Sequence, residues 1–164
     1  MIFWILGIAA AAAVLDQIFK ELVLAYVVPV GSIEVIPSLF SLVYTENRGV
    51  AFGLFQNTTW LFAIVTVLII AFLLFFYQKY KFKSKLIITA MGLVIGGGIG
   101  NLIDRVFRGY VIDFLSVSFF PPVCNFADYC VVIGAVILIL MLFFGKSLET
   151  KSNTLDNTHG EDHE

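Results

Sequence analysis

Twenty consecutive residues, Thr58 to Tyr77, carry no charged side chain. At about 1.5 Å per residue a helix of that length reaches about 30 Å, the thickness of a bilayer's hydrocarbon core, so a chain with this segment is built around a membrane. A second apolar run begins near Asn125 and reaches Phe144 with Asp128 as its single charged residue. Two further runs, Ile2 to Leu15 and Leu86 to Gly100, hold 14 and 15 residues and are too short on apolar residues alone. Each reaches bilayer length only by drawing polar residues into its C-terminal end: Asp16-Gln17-Ile18-Phe19-Lys20 in the first, Asn101-Leu102-Ile103-Asp104-Arg105 in the other. With 60% hydrophobic and 13% charged residues, a soluble domain is excluded. The expectation is one integral-membrane domain over residues 1–145, with spans at approximately 2–24, 58–77, 86–105 and 126–144. A polar tail, 146–164, is expected to be cytoplasmic and disordered. The net charge of -2 comes largely from that tail, and no basic stripe follows any span, so nucleic acid is not a partner.

Orientation follows from Gln78-Lys79-Tyr80-Lys81-Phe82-Lys83-Ser84-Lys85, four lysines in eight residues between the second and third spans. Short basic loops stay in the cytoplasm, which sets both termini inside, and Lys146 and Lys151 agree. The C-terminal ends of spans one and three and the N-terminal end of span four then share the outer level. Asp16, Lys20, Asn101, Asp104, Arg105, Asp113, Asn125 and Asp128 converge there. The first span, with its small residues Ala9 to Ala13, reads as a retained anchor rather than a cleaved leader, because three more spans follow and no basic residue precedes Lys20.

Between spans one and two, residues 28–57 contain strand-like stretches, Ser32 to Ile36 and Phe40 to Tyr44, and residues 109–118 supply another in Tyr110 to Leu115. Asn47-Arg48-Gly49 marks a turn, and Phe52 and Phe55 beyond it are candidates to cover the site or to anchor at the interface. Prolines 29, 37, 121 and 122 are expected to bound the strands. The fold class is therefore α-helical membrane protein, four transmembrane helices with a small extracytoplasmic β-sheet. Gly92, Gly96 and Gly100 recur every four residues and offer a flat face for a packed helix. Asp16 and Lys20, at i and i+4, are placed to pair, and Arg105 to snorkel or to hydrogen-bond carbonyls.

The chemistry narrows by elimination. Both histidines, His159 and His163, lie in the tail, so neither a histidine triad nor an HExxH metal site forms at the outer level. Ser116 and Ser118 have only Lys20 as an outer lysine. Cys124 and Cys130 lack a third nitrogen or sulfur ligand, so no metal and no cofactor is expected, and a disulfide across a helix start is not expected either. Asp113 and Asp128 remain. Ionisable groups at bilayer depth are functional-site candidates by default. Two carboxylates sharing a site hold one proton between them near neutrality; one activates water while the other hydrogen-bonds a carbonyl. Amide hydrolysis suits such a pair.

Five stretches, Asp16-Gln17-Ile18-Phe19-Lys20, Asn47-Arg48-Gly49-Val50-Ala51-Phe52, Gly97 to Arg105, Val111-Ile112-Asp113-Phe114 and Asn125-Phe126-Ala127-Asp128, together resemble the bacterial lipoprotein signal peptidases, or signal peptidase II. The resemblance covers nearly the whole chain except the tail. It implies a multi-pass enzyme of the bacterial cytoplasmic membrane, an aspartic endopeptidase whose catalytic pair falls on Asp113 and Asp128. It implies that Asp16, Lys20, Asn47, Gly49, Asn101, Asp104, Arg105 and Asn125 shape the site or position substrate. The implied substrates are diacylglyceryl-modified prolipoproteins cut just before the lipidated cysteine, with membrane lipids as surroundings and globomycin-type cyclic peptides as inhibitors by similarity. Two rivals stand beside it. One is a small proton-coupled transporter relaying through Asp16, Asp104, Asp113 and Asp128; the acids sit at one face, and spans two and four offer no ionisable residue below it. The other is a non-catalytic assembly protein using the glycine face, which leaves the paired aspartates unexplained.

Overall fold

The structure, a computed structural model, describes residues 1–49 and 59–158, without the side chains of 144–158. In chain order it comprises α1 (Ile2–Tyr26), a short turn of 3-10 helix (Val28–Val30), β1 (Ser32–Ile36), β2 (Phe40–Asn47), α2 (Thr59–Tyr80), α3 (Lys85–Phe107), β3 (Val111–Val117), β4 (Phe120–Cys124) and α4 (Phe126–Thr158). Among the described residues four helices are long and apolar enough to cross a membrane. The strands form one antiparallel sheet in the order β1-β2-β3-β4 at one end of the bundle.

The bundle is organised around α3, and its glycines explain why. A methyl group at Gly96 would lie 2.5 Å from the Ala9 carbonyl oxygen, and one at Gly92 2.8 Å from the Ile8 Cβ, so α1 rests on the bare backbone of the face spaced by fours. Gly97 meets the Ala127 carbonyl of α4. Gly98 turns to α2, where Thr66 is the nearest neighbour at 3.2 Å. Lipid tails are as apolar as leucine, so helices in a bilayer associate through close backbone approach, and small residues supply it. The apolar filling between them includes Ile5, Leu73, Ile88, Met91 and Ile95.

At the sheet end α3 closes at Gly109, whose φ of +79° a side chain would strain. The Arg108 and Gly109 N–H groups both return to the Asp104 carbonyl, at 2.8 and 3.1 Å. The chain reverses there into β3. Successive strand residues face opposite ways, so Ile112 and Phe114 pack on Val23 of α1 and on Val27 just after it, while Asp113 points to the other face. The sheet is thereby fixed to α1 with one acid turned inward over the ends of α3 and α4.

Several expectations need correction. Pro121 and Pro122 do not bound a strand; they lie inside β4. β4 is an edge strand that pairs only with β3, in an irregular register, so a residue lacking an N–H is tolerated there. The basic link is shorter than eight residues, because α2 continues to Tyr80 and α3 starts at Lys85. Helix α4 runs past the expected end of the fourth span to Thr158, through residues that include Lys, Leu and Glu and no proline. Phe52 and Phe55 lie outside the described residues.

Candidate active site

The polar C-terminal turns of α1 and α3 meet in the interior. The Lys20 ammonium lies 2.7 Å from Asp16 Oδ2 and 2.8 Å from Asp104 Oδ2, with all three side chains fully buried. It also donates to Asn101 Oδ1 at 3.1 Å. The carboxylates also accept hydrogen bonds from backbone and neighbours. Asp16 Oδ1 accepts the Ala127 N–H at 2.9 Å, one of the amides that the first turn of α4 leaves without a helical partner. Asp104 Oδ2 accepts the Ile112 N–H at 3.1 Å, and its Oδ1 accepts from Arg108 and Gln17. One lysine and two carboxylates thus join α1, α3, α4 and β3. The missing side chain at Gly100 makes room for this: a Cβ there would lie 2.6 Å from Asp16 Oδ2.

Above that cluster, Asn125 arranges the two remaining acids. As the residue before α4 it accepts the Asp128 N–H on Oδ1 at 2.9 Å, while Asp128 Oδ2 accepts the Asn125 N–H at 3.1 Å, a reciprocal helix cap. Its Nδ2 donates to Asp113 Oδ1 at 2.6 Å and to Asn101 Oδ1 at 3.1 Å. Asn101 Nδ2 in turn donates to Asp128 Oδ1 at 2.8 Å. Asn47 sits diagonally from Asp113 across the β2–β3 ladder and donates to its Oδ2 at 2.8 Å. Asn47 is itself aimed by the Gly49 N–H, which it accepts at 3.0 Å in a turn where Gly49 has φ +99°. Every oxygen of Asp113 and Asp128 therefore has an amide donor.

The two acids differ in surroundings. Asp113 is 2% exposed, whereas Asp128 is partly exposed. Burial pushes the Asp113 carboxyl up to about 6; the Asn47 hydrogen bond opposes this, the nearby Asp128 charge adds to it, and Asn125 and Lys20 pull it back. Arg105 makes no ion pair with either acid among the described residues; it donates to the Asn101 carbonyl at 3.2 Å, with its guanidinium 5.8 Å from the Phe62 ring centre. Cys124 and Cys130 are free thiols.

Asp16, Lys20, Asn47, Asn101, Asp104, Asp113, Asn125 and Asp128 are thus brought into one continuous hydrogen-bonded network, with Gly49 and Arg105 acting through Asn47 and Asn101. Sequence reasoning missed three participants. Gln17 bonds Asp16, Gly100 and Asp104 from a partly buried position. Arg108 joins Asp104 to Gln17 and Glu21, and its i, i+4 spacing from Asp104 was an available signal. The Thr59 hydroxyl lies 3.0 Å from the Gly109 carbonyl and 3.3 Å from that of Arg48, tying the start of α2 to both turns beside the acids.

The family model for signal peptidase (SPase) II matches residues 8–144, a range containing every residue of this network. The chain is 45% identical over 139 residues to the lipoprotein signal peptidase of Caldanaerobacter subterraneus subsp. tengcongensis, covering 84% of this chain and 95% of that protein. It is 46% identical over 129 residues to that of Halothermothrix orenii, covering 79% and 88%. Two solved structures, each described as a bacterial membrane enzyme structure by the in meso method, have the same fold. One superposes with a TM-score of 0.75 at 29% identity, covering 98% of this chain and 92% of that one. The other has a TM-score of 0.76 at 31% identity, covering 84% and 91%.

Proposed function

The chain belongs to the signal peptidase II family, and from that premise we propose that it removes signal peptides from diacylglyceryl-modified prolipoproteins, cutting just before the lipidated cysteine, with Asp113 and Asp128 as the catalytic pair of an aspartic endopeptidase. The observation that carries this reading is the meeting of two carboxylates at Asn125, one buried and one partly exposed, each held at both oxygens by amides. A site so constrained needs little reorganisation when a substrate arrives.

The mechanism follows from the difference between the acids. The buried Asp113 holds the shared proton and donates a hydrogen bond to the scissile carbonyl, while the ionised Asp128 takes a proton from a water molecule as it attacks the carbonyl carbon. The tetrahedral intermediate collapses when the amide nitrogen receives a proton from the dyad and the C–N bond breaks. No resident cofactor enters these steps. Asn125, Asn47 and Asn101 hold the acids in register; Asp16, Lys20 and Asp104 hold the elements that carry them. The basic link between α2 and α3 favours an orientation with the termini in the cytoplasm and the acids at the outer face. There the lipid chains of a prolipoprotein remain in the leaflet while its peptide bond reaches the dyad. Globomycin-type cyclic peptides are expected to compete for that site by similarity. A proton relay has less in its favour, since the acidic side chains of the described spans gather at one end of the bundle.

The test is cleavage of a lipobox peptide, with and without its diacylglyceryl group, by the purified protein in lipid beside Asp113→Asn and Asp128→Asn. Cleavage of the lipidated peptide alone, lost in both variants, is the expected result. Substantial turnover by either folded variant would overturn the catalytic pair.

A further inference from the structure

The opposite end of the bundle is built for different chemistry. Lys79, Lys81, Lys83 and Lys85 are all exposed around the link from α2 to α3, and among the described residues none of them is in an ion pair. Beside them a cavity of about 320 Å³ opens between α2, α3 and α4, lined by residues that include Phe72, Phe76, Phe82, Ile87, Met91 and Leu138. Phe82 belongs to both features: it lines the cavity and separates Lys81 from Lys83. Its ring lies 5.5 Å from that of Phe76, which in turn lies 4.5 Å from Tyr80, so an aromatic cluster holds the link against the end of α2. The Lys79 ammonium sits 5.4 Å from the Tyr80 ring centre.

An apolar slot between the helices, with exposed lysines on either side of one of its lining residues, has the charge pattern of a lipid that joins hydrocarbon chains to a phosphate. Protein interiors do not leave apolar spaces of this size empty without cost, and in a bilayer the available filler is an acyl chain. Lysine clusters directly beside a span attract anionic headgroups, and basic sites between helices bind them. A zwitterionic headgroup would bring its own cation against the lysines. We propose that this slot binds one anionic phospholipid of the adjacent leaflet, with an acyl chain between α2, α3 and α4 and the phosphate against the Lys79 to Lys85 link. The bound lipid fastens α2, the least buried span, to the rest of the bundle. The inference does not depend on the peptidase reading, since it concerns the far end of the molecule.

Native mass spectrometry of the full-length protein, with palmitoyl-oleoyl phosphatidylglycerol or the matched phosphatidylcholine, tests it. One phosphatidylglycerol is expected to be retained about 25-fold or more over phosphatidylcholine. The double variant Lys81→Gln/Lys83→Gln changes exposed side chains only and should lose about fivefold per lysine in phosphatidylglycerol retention, with phosphatidylcholine unchanged. Leu138→Trp, which fills the slot, should weaken both lipids alike. Equal retention of the two lipids by the parent protein overturns the proposal, as does parental phosphatidylglycerol retention by the lysine variant. Parental binding by a folded Leu138→Trp protein overturns the placement of the acyl chain.

Discussion

Replacing Lys20 by methionine tests whether the buried charge cluster supports the fold beneath the candidate site. Methionine approximates the apolar stem of lysine and removes the ammonium, with its charge and its hydrogen bonds. The ammonium is shared by two fully buried carboxylates, at 2.7 and 2.8 Å, and bonds Asn101 as well. After the change Asp104 retains Arg108, Gln17 and the Ile112 N–H, but Asp16 is left with Gln17 and the Ala127 N–H and no cation of its own. Removing one partner of a buried pair costs about 3–5 kcal/mol, because a charge remains without compensation. For a chain of this size each kcal/mol moves Tm by about 2–4 °C, so a fall on the order of 10 °C is expected in thermal unfolding of the detergent-solubilised protein. Adding Asp16→Asn removes the stranded charge, so the double variant should be more stable than the sum of the single effects implies, by at least about 1 kcal/mol of coupling. The surface pair Arg48–Glu46, with side chains 59% and 36% exposed, is the control, and Arg48→Met should leave Tm unchanged. A Lys20→Met protein melting within about 2 °C of the parent, or a strictly additive cycle, would refute the reasoning.

Asn125→Ala removes the cap of α4 and the donor to Asp113 together; about 1–2 kcal/mol of stability should go with the cap, while cleavage should fall far more, read as kcat at saturating lipidated peptide. The pH profile of kcat/KM should carry a limb near 6 from Asp113. Its carboxyl is raised and acts protonated, so on this limb activity is full below that value and falls as pH rises through it, while the need for an ionised Asp128 sets the other limb. Asn47→Ala removes a hydrogen bond that favours the ionised form and should move the limb to higher pH; a limb that stays or moves down contradicts the assignment of the proton. Gly96→Ala sets a methyl 2.5 Å from the Ala9 carbonyl and should cost about 1–3 kcal/mol or prevent assembly, whereas Gly98→Ala meets side chains alone, the Thr66 methyl at 3.2 Å and Ile70 at 3.5 Å, and should cost much less in the same melting assay.

The spans were legible because hydropathy acts locally: the uncharged stretch from Thr58 is α2, and the polar ends of the first and third spans are where α1 and α3 meet. The convergence of Asp16, Asp104, Asp113 and Asp128 was legible for the same reason, since alternating helix directions bring those ends to one level. β4 was not. A strand containing Pro121-Pro122 is readable only when one knows that it lies at an edge, and edges are a property of the assembled sheet. Gln17 was missed because helix spacing says which residues can meet on one helix, while its partners Gly100 and Asp104 lie on another; Arg108 carried a same-helix signal in Asp104, but its links to Gln17 and Glu21 cross between helices. The helical continuation of α4 to Thr158 was missed because low hydropathy marks the end of a span and not the end of a helix.

Packing and chemistry are coupled in this fold through a short series of contacts. Gly100 has no side chain, so the Asp16 carboxylate lies against α3 and accepts the Ala127 N–H. That bond sets how far the first turn of α4 advances toward α1, and Asp128 is the next residue along it. Asn125, one residue before that turn, caps α4 through Asp128 and carries the link to Asp113 on β3. β3 is held from its other side by Ile112, whose N–H reaches Asp104 and whose side chain packs on α1. In the proposed mechanism each acid of the pair is therefore positioned by an acid outside the pair, Asp128 by Asp16 and Asp113 by Asp104, and Lys20 joins those two supports. Burying three charges under the site is costly in a bilayer, and a packed apolar junction would fasten the helices at least as firmly. What an apolar junction lacks is direction: carboxylates aimed at single backbone amides orient α4 and β3 about the dyad in a way that leucine contacts cannot. The buried cluster is best understood as a device for orientation, which is why its loss should reduce turnover even in variants whose fold survives.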